Sequence, residues 1–460
     1  MAKFSTIILA AGVGSRMKSH KPKVLHSICG KSMIARITEA ALLVSDDVHI
    51  VLYHQKEFIE AHLRQYFGAK LEFITLHTQD CENFPGTGGA LMDSGLASRG
   101  QMFRVKYPRT LVLNGDMPLI SPESMRAIVT TNAPIVLSTI TLENPSGYGR
   151  VVLESTSSHT PKVLKIVEEK DCNEQERDIT LVNAGIYAFD TELLASTLPK
   201  LNNDNAQREY YLTDVIALAR EDLAKESQVP LITAFYGDAR EFMGVNSKSE
   251  LAQAEAIRLQ TLRQRAMDQG VIMRLPESIY LEEWVEFEGE CEIENNVRIC
   301  GISAIKHSHI KAGSVVEHSV IEHSDIGPMA HIRPHSHISH THIGNFVETK
   351  SVHLDGVKAG HLSYLGDCEI GSGSNVGAGV ITCNYDGKQK HRTIIGQNVF
   401  IGSDTQLVAP VEIESNSIIG AGSTITTNVK SGALALSRAK QTHIAGFFHR
   451  FFAKPQDSTH

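Results

Sequence analysis

Two groups of residues in this chain of 460 residues have the types and spacing for chemistry. The first is the string Leu9-Ala10-Ala11-Gly12-Val13-Gly14-Ser15-Arg16-Met17, followed by Lys21-Pro22-Lys23. Its glycines let backbone N–H groups come close to phosphate oxygens, while Arg16 and Lys23 supply the charge a triphosphate needs. The third glycine of a dinucleotide fingerprint is missing and no G-K-[ST] follows, so neither a dinucleotide motif nor a Walker loop is present. The second group, Glu348, Lys350, His361, Asn384 and Tyr385, falls where a regular repeat breaks. Interruptions on a rigid scaffold are where function tends to sit.

Holding these groups takes two different scaffolds. Up to about residue 246, short apolar runs alternate with helical patterns, which predicts an α/β domain with a mainly parallel sheet. Strands are expected at Ser5 to Ala10, Val48 to Tyr53, Leu71 to Thr75, Thr110 to Leu113 and Ile135 to Ile140, with a helix over Ile34 to Val44. Ser247 and Glu250 form a capping-box pattern that opens a helix running to about Asp268, with Gly270 as its stop. Leu251, Ala254, Leu262 and Ala266 give that helix a packed stripe.

Further on, Ile395, Ile401, Leu407, Ile413, Ile419 and Ile425 stand in steps of six. The same period recurs at Ile293, Ile299 and Ile305, at Val320, Ile326, Ile332 and Ile338, and at Ile370 and Val376. Neither an α-helix nor an amphipathic strand has this period; it predicts a left-handed parallel β-helix of hexapeptide repeats over about 275 to 430. The repeat breaks near 344 to 369 and 380 to 394. The expected division is an α/β domain at 1–248, a helical linker at 249–269, and a β-helix with its tail at 270–460.

Composition narrows the class. A formal charge of −8 argues against nucleic acid as the main partner, although anionic substrates need only a local basic patch. Seven cysteines without a C-x-x-C pair read as reduced thiols in a cytoplasmic protein. No apolar stretch approaches the ~20 residues that span a bilayer, so no stable membrane insertion is expected. His335, His337, His340 and His342 have an H-x-H look that could ligate zinc. They lack cysteine or carboxylate partners at the same spacing, and solvated outer-face positions are the favoured reading. The tail cluster Phe447, Phe448, Phe451 and Phe452 could touch a membrane, with packing on a neighbouring subunit preferred.

The glycine-rich string resembles the L-x-x-G-x-G-[ST]-x-M…P-K signature of sugar-phosphate nucleotidyltransferases, whose fold is Rossmann-like. Asn114-Gly115-Asp116, Gly147-Tyr148-Gly149-Arg150, Val167-Glu168-Glu169-Lys170, Asn183-Ala184-Gly185 and Gly244-Val245-Asn246 agree with it. The resemblance implies that Asp116 and Asn246 hold Mg²⁺ while a sugar-1-phosphate attacks the α-phosphate of UTP. It also implies that Leu9, Ala10, Ala11, Gly12, Lys23, Gln79, Gly86, Thr87 and Asn114 contact the nucleotide. Gly149, Glu168 and Asn183 would contact the sugar, with Arg16 and Lys23 as the catalytic cations. Gln79 stands seven residues before Gly86, with Pro85 in place of the leucine, whereas the family's uracil-reading glutamine stands five before its L-G-T. Gln79 is read either as that residue or as a solvated loop residue.

The strings K-A-G-H-L-S-Y-L-G-D from Lys358 and I-T-C-N-Y-D-G from Ile381 extend the resemblance to a bifunctional family. Its members are N-acetylglucosamine-1-phosphate uridylyltransferases and glucosamine-1-phosphate N-acetyltransferases that feed bacterial cell-wall and lipopolysaccharide synthesis. By that resemblance His361 is the base that takes the amine proton, a role its ordinary pKa of about 6.5 suits. Glu348 would orient it. Arg333, Lys350, Tyr364 and Asn375 would bind the amino-sugar phosphate, and Ala378, Asn384, Tyr385, Ser403, Ala421 and Arg438 the acetyl-coenzyme A. A homotrimer with the acyl site at the subunit boundary is implied. Two alternatives stand beside this reading: a monofunctional nucleotidyltransferase with a regulatory β-helix, and a non-enzymatic scaffold.

Overall fold

Runs of valine, isoleucine and leucine with few charges make strands that are buried on both faces. In the first half the strands are β1 (Ser5–Ala10), β2 (Val48–Leu52), β3 (Ile74–Thr78), β4 (Arg109–Asn114) and β5 (Ile135–Thr141), all but the edge strand β3 buried on both faces. They are followed by β6 (Arg150–Leu153), β7 (Val163–Val167), β8 (Leu181–Asp190) and β9 (Ile232–Tyr236). The computed structural model describes residues 3–95, 98–153, 163–223 and 232–452, in two compact units that divide between Thr261 and Leu262.

The sheet order is β9-β5-β8-β4-β1-β2-β3, with β6 and β7 attached through β8. β1 pairs in parallel with β2 and β4, and β3 extends the parallel row beyond β2. Four strands therefore end on one side, and the crevice beyond their carboxyl ends is where open α/β sheets bind ligands. Successive residues of β1 feed opposite layers: Ile8 packs with Ile34, Ile37 and Leu63, and Ile7 with Leu194, Val215 and Ile216. The strand expected at Leu71 to Thr75 begins only at Ile74. Gly68, at φ 51°, ends the helix Lys56–Phe67, and residues up to Phe73 form a 3-10 turn that brings the chain back.

The helix Lys248–Asp268 forms as its cap predicts. The Ser247 hydroxyl accepts from Glu250 N at 3.2 Å, and the Glu250 carboxylate accepts from Asn246 N and Ser247 N at 2.7 and 2.8 Å. Ala254, Leu262 and Ala266 are buried.

Beyond it stand three parallel sheets of ten, nine and eight short strands, one per side of a β-helix. In most strands one isoleucine, valine or leucine points inward to a continuous core, each worth roughly 1.5–3 kcal/mol when fully buried. The period is less uniform than the sequence suggests. Ile310, Val316, Ile321, Ile326 and Ile332 are all fully buried, so steps of five are mixed with steps of six. Ile321, not Val320, is the inward residue of its strand, because a one-residue slip reverses the side that a strand residue faces.

The expected break at 344 to 369 is likewise no break. Ile343, Thr349, Leu354, Ala359, Leu365 and Ile370 continue the inward series; polar Thr349 and small Ala359 hide it from an aliphatic count. Only 383–392 departs from the coil.

The shorter turns use left-handed residues, several of them histidine. His307, His323 and His340 (φ 45°, 45° and 48°) stack in a column with ring centroids 4.7 and 5.1 Å apart. His337 stacks on His353, and His342 bonds Asp325 at 2.8 Å. These histidines serve different columns. Among the described residues no group of three or more histidine, cysteine or carboxylate side chains could hold a metal.

Candidate active sites

In the first unit a cavity of about 410 Å³ opens at the carboxyl ends of the parallel strands. Leu9, Ala10, Ala11, Gly12, Lys23, Gln79, Gly86, Thr87, Asn114 and Asp116 line it, so the glycine turn and the Asn114-Gly115-Asp116 end of β4 meet in one place. Gly14 makes the turn possible: its φ is 65°, and a Cβ there would lie 2.7 Å from Lys23 Cβ. Lys23 Nζ donates to Asp116 Oδ2 at 2.5 Å and to Asn246 Oδ1 at 3.0 Å. The capping box described above orients Asn246 from behind. Two oxygen donors far apart in sequence thus converge on one cation.

Gly149, Glu168 and Asn183 form an adjoining group. Asn183 N donates to Gly149 O at 2.8 Å, and a Cβ on Gly149 would lie 3.5 Å from Glu168 Oε2. Thr213 donates to Glu168 at 3.1 Å, yet burial pushes the Glu168 carboxyl above its ordinary range. The Thr87 hydroxyl accepts from Leu212 N at 3.1 Å, tying this group to the cavity wall. Arg16 sits exposed on the turn Ser15–Met17 and does not line the cavity.

Gln79 is buried, which excludes the solvated-loop reading. Its amide donates to Phe84 O and Gly86 O at 3.0 and 2.9 Å, so it braces the longer loop that separates it from Gly86. Sequence reasoning missed Tyr53, Cys81 and Glu209, which complete the wall.

In the second unit the sites follow register. On the nine-stranded side Glu348 pairs with Tyr364, and Lys350 with Gly366, one coil on. Arg333 lies one coil before Lys350, since Arg333 N donates to Thr349 O at 2.8 Å. Gly366 leaves room: a Cβ there would lie 2.5 Å from Tyr364 Oη and 2.8 Å from Asn384 Nδ2. Residues 384–391 form a small hairpin, closed by the Tyr385 to Lys390 bridge and by His391 N on Asn384 O at 2.8 Å. Asp386 anchors its tip by accepting from Lys388 N, Gln389 N and His391.

The hairpin returns Lys390 to Lys350, whose ammonium it holds below the ordinary lysine range, with Arg333 adding to the effect. Three cations share one face. Lys390 was missed in the sequence, where its place in the one irregular segment was the available signal.

His361 ends a strand of the ten-stranded side, beside Asn345. Its carbonyl accepts from Gly379 N, the Ala378 carbonyl from Asp404 N and the Ser403 carbonyl from Gly422 N. His361, Ala378, Ser403 and Ala421 therefore form one column along the helix axis, about 4.8 Å per coil. Arg438 closes the column by donating to Ala421 O at 2.9 Å. Asn375 lies in the same sheet between Lys358 and Phe400. Glu348 does not reach His361; its carboxylate accepts from Arg333 at 2.8 Å. The imidazole of His361 has no hydrogen-bond partner among the described residues and is exposed.

A crevice at the strand ends of an α/β sheet and a hexapeptide β-helix with a histidine heading a column of small residues define a two-domain transferase. Residues 6–171 match the model of the MobA-like NTP transferase domain, and residues 392–427 match that of the bacterial transferase hexapeptide (six repeats). The bifunctional protein GlmU of Wolinella succinogenes is 54% identical over 449 residues, covering 98% of this chain and 99% of that protein. The GlmU of Helicobacter hepaticus is 54% identical, covering 98% and 97%. That of Campylobacter jejuni strain 81116 is 50% identical, covering 98% and 100%. The chain belongs to the bifunctional GlmU family.

Proposed function

We infer that the chain acetylates glucosamine-1-phosphate with acetyl-coenzyme A and then couples the product to UTP, forming UDP-N-acetylglucosamine. The observation that carries this is the presence on one chain of both constellations: Lys23 between Asp116 and Asn246, and the His361 column. In the first step the 2-amino nitrogen attacks the thioester carbonyl, the C–S bond breaks, and His361 takes the amine proton. The coenzyme thiolate leaves. Arg333, Lys350 and Lys390 receive the sugar phosphate, while Tyr364 and Asn375 contact the sugar. Asn384, Tyr385, Ala378, Ser403, Ala421 and Arg438 hold the acyl donor.

In the second step the sugar phosphate oxygen attacks the α-phosphorus of UTP and pyrophosphate leaves. Asp116 and Asn246 offer hard oxygen donors that already converge on one ammonium, an arrangement that fits Mg²⁺. Mg²⁺ would supply charge neutralisation there, and Lys23 and Arg16 add theirs along the phosphates. Gly149, Glu168 and Asn183 bind the sugar.

The exposure of His361, Phe346 and Leu362 supports closure of the acyl site by a second copy in a homotrimer. A monomer by sedimentation would contradict it. No helix among the described residues is long and apolar enough to cross a membrane, which is compatible with work in the cytoplasm.

Paired substitutions test the assignment. Asp116→Ala should lower uridylyl transfer by on the order of 10³-fold and spare acetyl transfer, and His361→Ala should do the reverse by roughly 10²–10⁴-fold. Full acetyl transfer by His361→Ala would overturn the base assignment.

A further inference from the structure

The hairpin that leaves the β-helix at 384–391 carries groups assigned above to both substrates of acetyl transfer. Asn384 and Tyr385 stand on its outgoing arm and Lys390 on its returning one. Its backbone contacts are Asp386 N on Gln389 O at 3.2 Å, the Tyr385 to Lys390 bridge, and His391 N on Asn384 O at 2.8 Å. An isolated two-stranded hairpin is marginal in water. Here it also works against charge: Lys390 lies against Lys350, whose ammonium it holds below the ordinary lysine range, and Arg333 adds to the repulsion while Asp367 opposes it. Left to itself, the hairpin would swing away.

The Asp386 carboxylate resists this. Its Oδ1 accepts from Lys388 N and Gln389 N at 2.8 and 2.7 Å, across the turn that Gly387 makes at φ 96°. Its Oδ2 lies 2.7 Å from His391 Nε2, which must be the donor because a carboxylate only accepts. The Gln389 N–H, the His391 ring and the Lys388 N–H hold the Asp386 carboxyl well below its ordinary range, so the clasp is charged and its bonds are of the stronger kind. Side chains alternate along each arm: Tyr385 and Lys390, paired across the bridge, share one face, and Asp386 and His391 share the other. At the root of the hairpin Asn384 donates to Asp367 Oδ2 at 2.5 Å. The clasp thus backs the face that presents Tyr385 and Lys390.

We propose that Asp386 is a positioning residue for acetyl transfer: by clasping the hairpin it holds Lys390 at the sugar phosphate and Asn384 and Tyr385 at the acyl donor, so that one carboxylate sets the KM for both substrates. The proposal rests on the reading of the β-helix as the acetyltransferase. It gives Asp386 an effect that no single binding residue has, because each of those serves one substrate.

The test is steady-state acetyl transfer by the full-length protein, with glucosamine-1-phosphate and acetyl-coenzyme A varied in turn. Asp386→Ala should raise both KM values, each roughly tenfold, with kcat lowered less than about threefold and uridylyl transfer unchanged. Asp386→Asn, whose side-chain oxygen can still accept from Lys388 N and Gln389 N, should recover most of the loss. Lys390→Ala should raise the KM for glucosamine-1-phosphate alone. In Asp386→Ala, unchanged KM values, a rise in only one of them, or a fall in kcat alone, which is the signature of lost folded enzyme, would overturn the proposal. So would an Asp386→Asn variant as impaired as Asp386→Ala. Absence of acetyl transfer by the parent protein would overturn the reading beneath the proposal, and the proposal with it.

Discussion

The two sites proposed to handle phosphate are built in opposite ways. In the α/β domain the cation lies between its own counter-charges: Lys23 is held by Asp116 and Asn246, which reach it from strand β4 and from the start of the helix Lys248–Asp268. On the β-helix Arg333, Lys350 and Lys390 crowd one face, where Glu348 binds Arg333 and the carboxylates of Asp367 and Glu317 lie near Lys350 and Arg333. One site is assembled across long loops around a single lysine; the other is assembled by register, with two lysines brought against each other. The first depends on topology, the second on the count of residues per coil.

That dependence on count can be attacked directly. Ile321→Ala removes an inward side chain and should destabilise the β-helix by about 2–5 kcal/mol, whereas Val320→Ala next to it should cost under about 0.5 kcal/mol. Trp284, the only tryptophan, reports on this unit, so its fluorescence during urea unfolding separates the two. Equal effects would mean that Ile321 is not the inward residue of its strand.

The paired lysines make the next prediction. Lys390→Ala should raise the KM for glucosamine-1-phosphate by roughly 10- to 100-fold, the worth of a charge-assisted contact of about 1.5–3 kcal/mol. Uridylyl transfer should be unchanged. An unchanged KM would separate the hairpin lysine from the phosphate face.

The smallest effect lies in the α/β sheet. His77 on β3 touches His49 at 2.9 Å and stacks on Phe103, and burial pushes its pKa down to about 4. Burial also lowers His49, against Asp47. A folded pKa below the ordinary 6.5 favours the neutral form, so this stability is complete above about pH 6.5 and is lost as pH falls through 4. Allowing for its partial exposure, the loss is on the order of 1–2 kcal/mol. Thermal unfolding followed through uridylyl activity should show His77→Phe flatter between pH 6.5 and 4 than the parent. Parallel profiles would remove His77 as the cause.

Most of the first site was legible because its glycines, Asp116 and Asn246 stand in short strings whose residue types are restricted by the backbone: Gly14 must take φ 65° against Lys23. The cap at Ser247 and Glu250 was legible for the same local reason. Less legible was anything set by a distant partner. Gln79 was read from its spacing, and only folding shows its amide committed to Phe84 and Gly86. Glu348 was expected at His361, yet the strand geometry delivers it to Arg333.

The residues themselves thus determined the existence of two domains, the hexapeptide repeat and the strings to which we assign phosphate and proton chemistry, because glycine turns, caps and inward aliphatics are local demands. The tertiary structure alone decided which coil faces which. Steps of five and six cannot be told apart where the inward residue is Thr349 or Ala359, since burial, not residue type, defines the rung. It also decided that a hairpin of the irregular segment would bring Lys390 back to Lys350, a meeting set by where strands pair rather than by any residue's own preference.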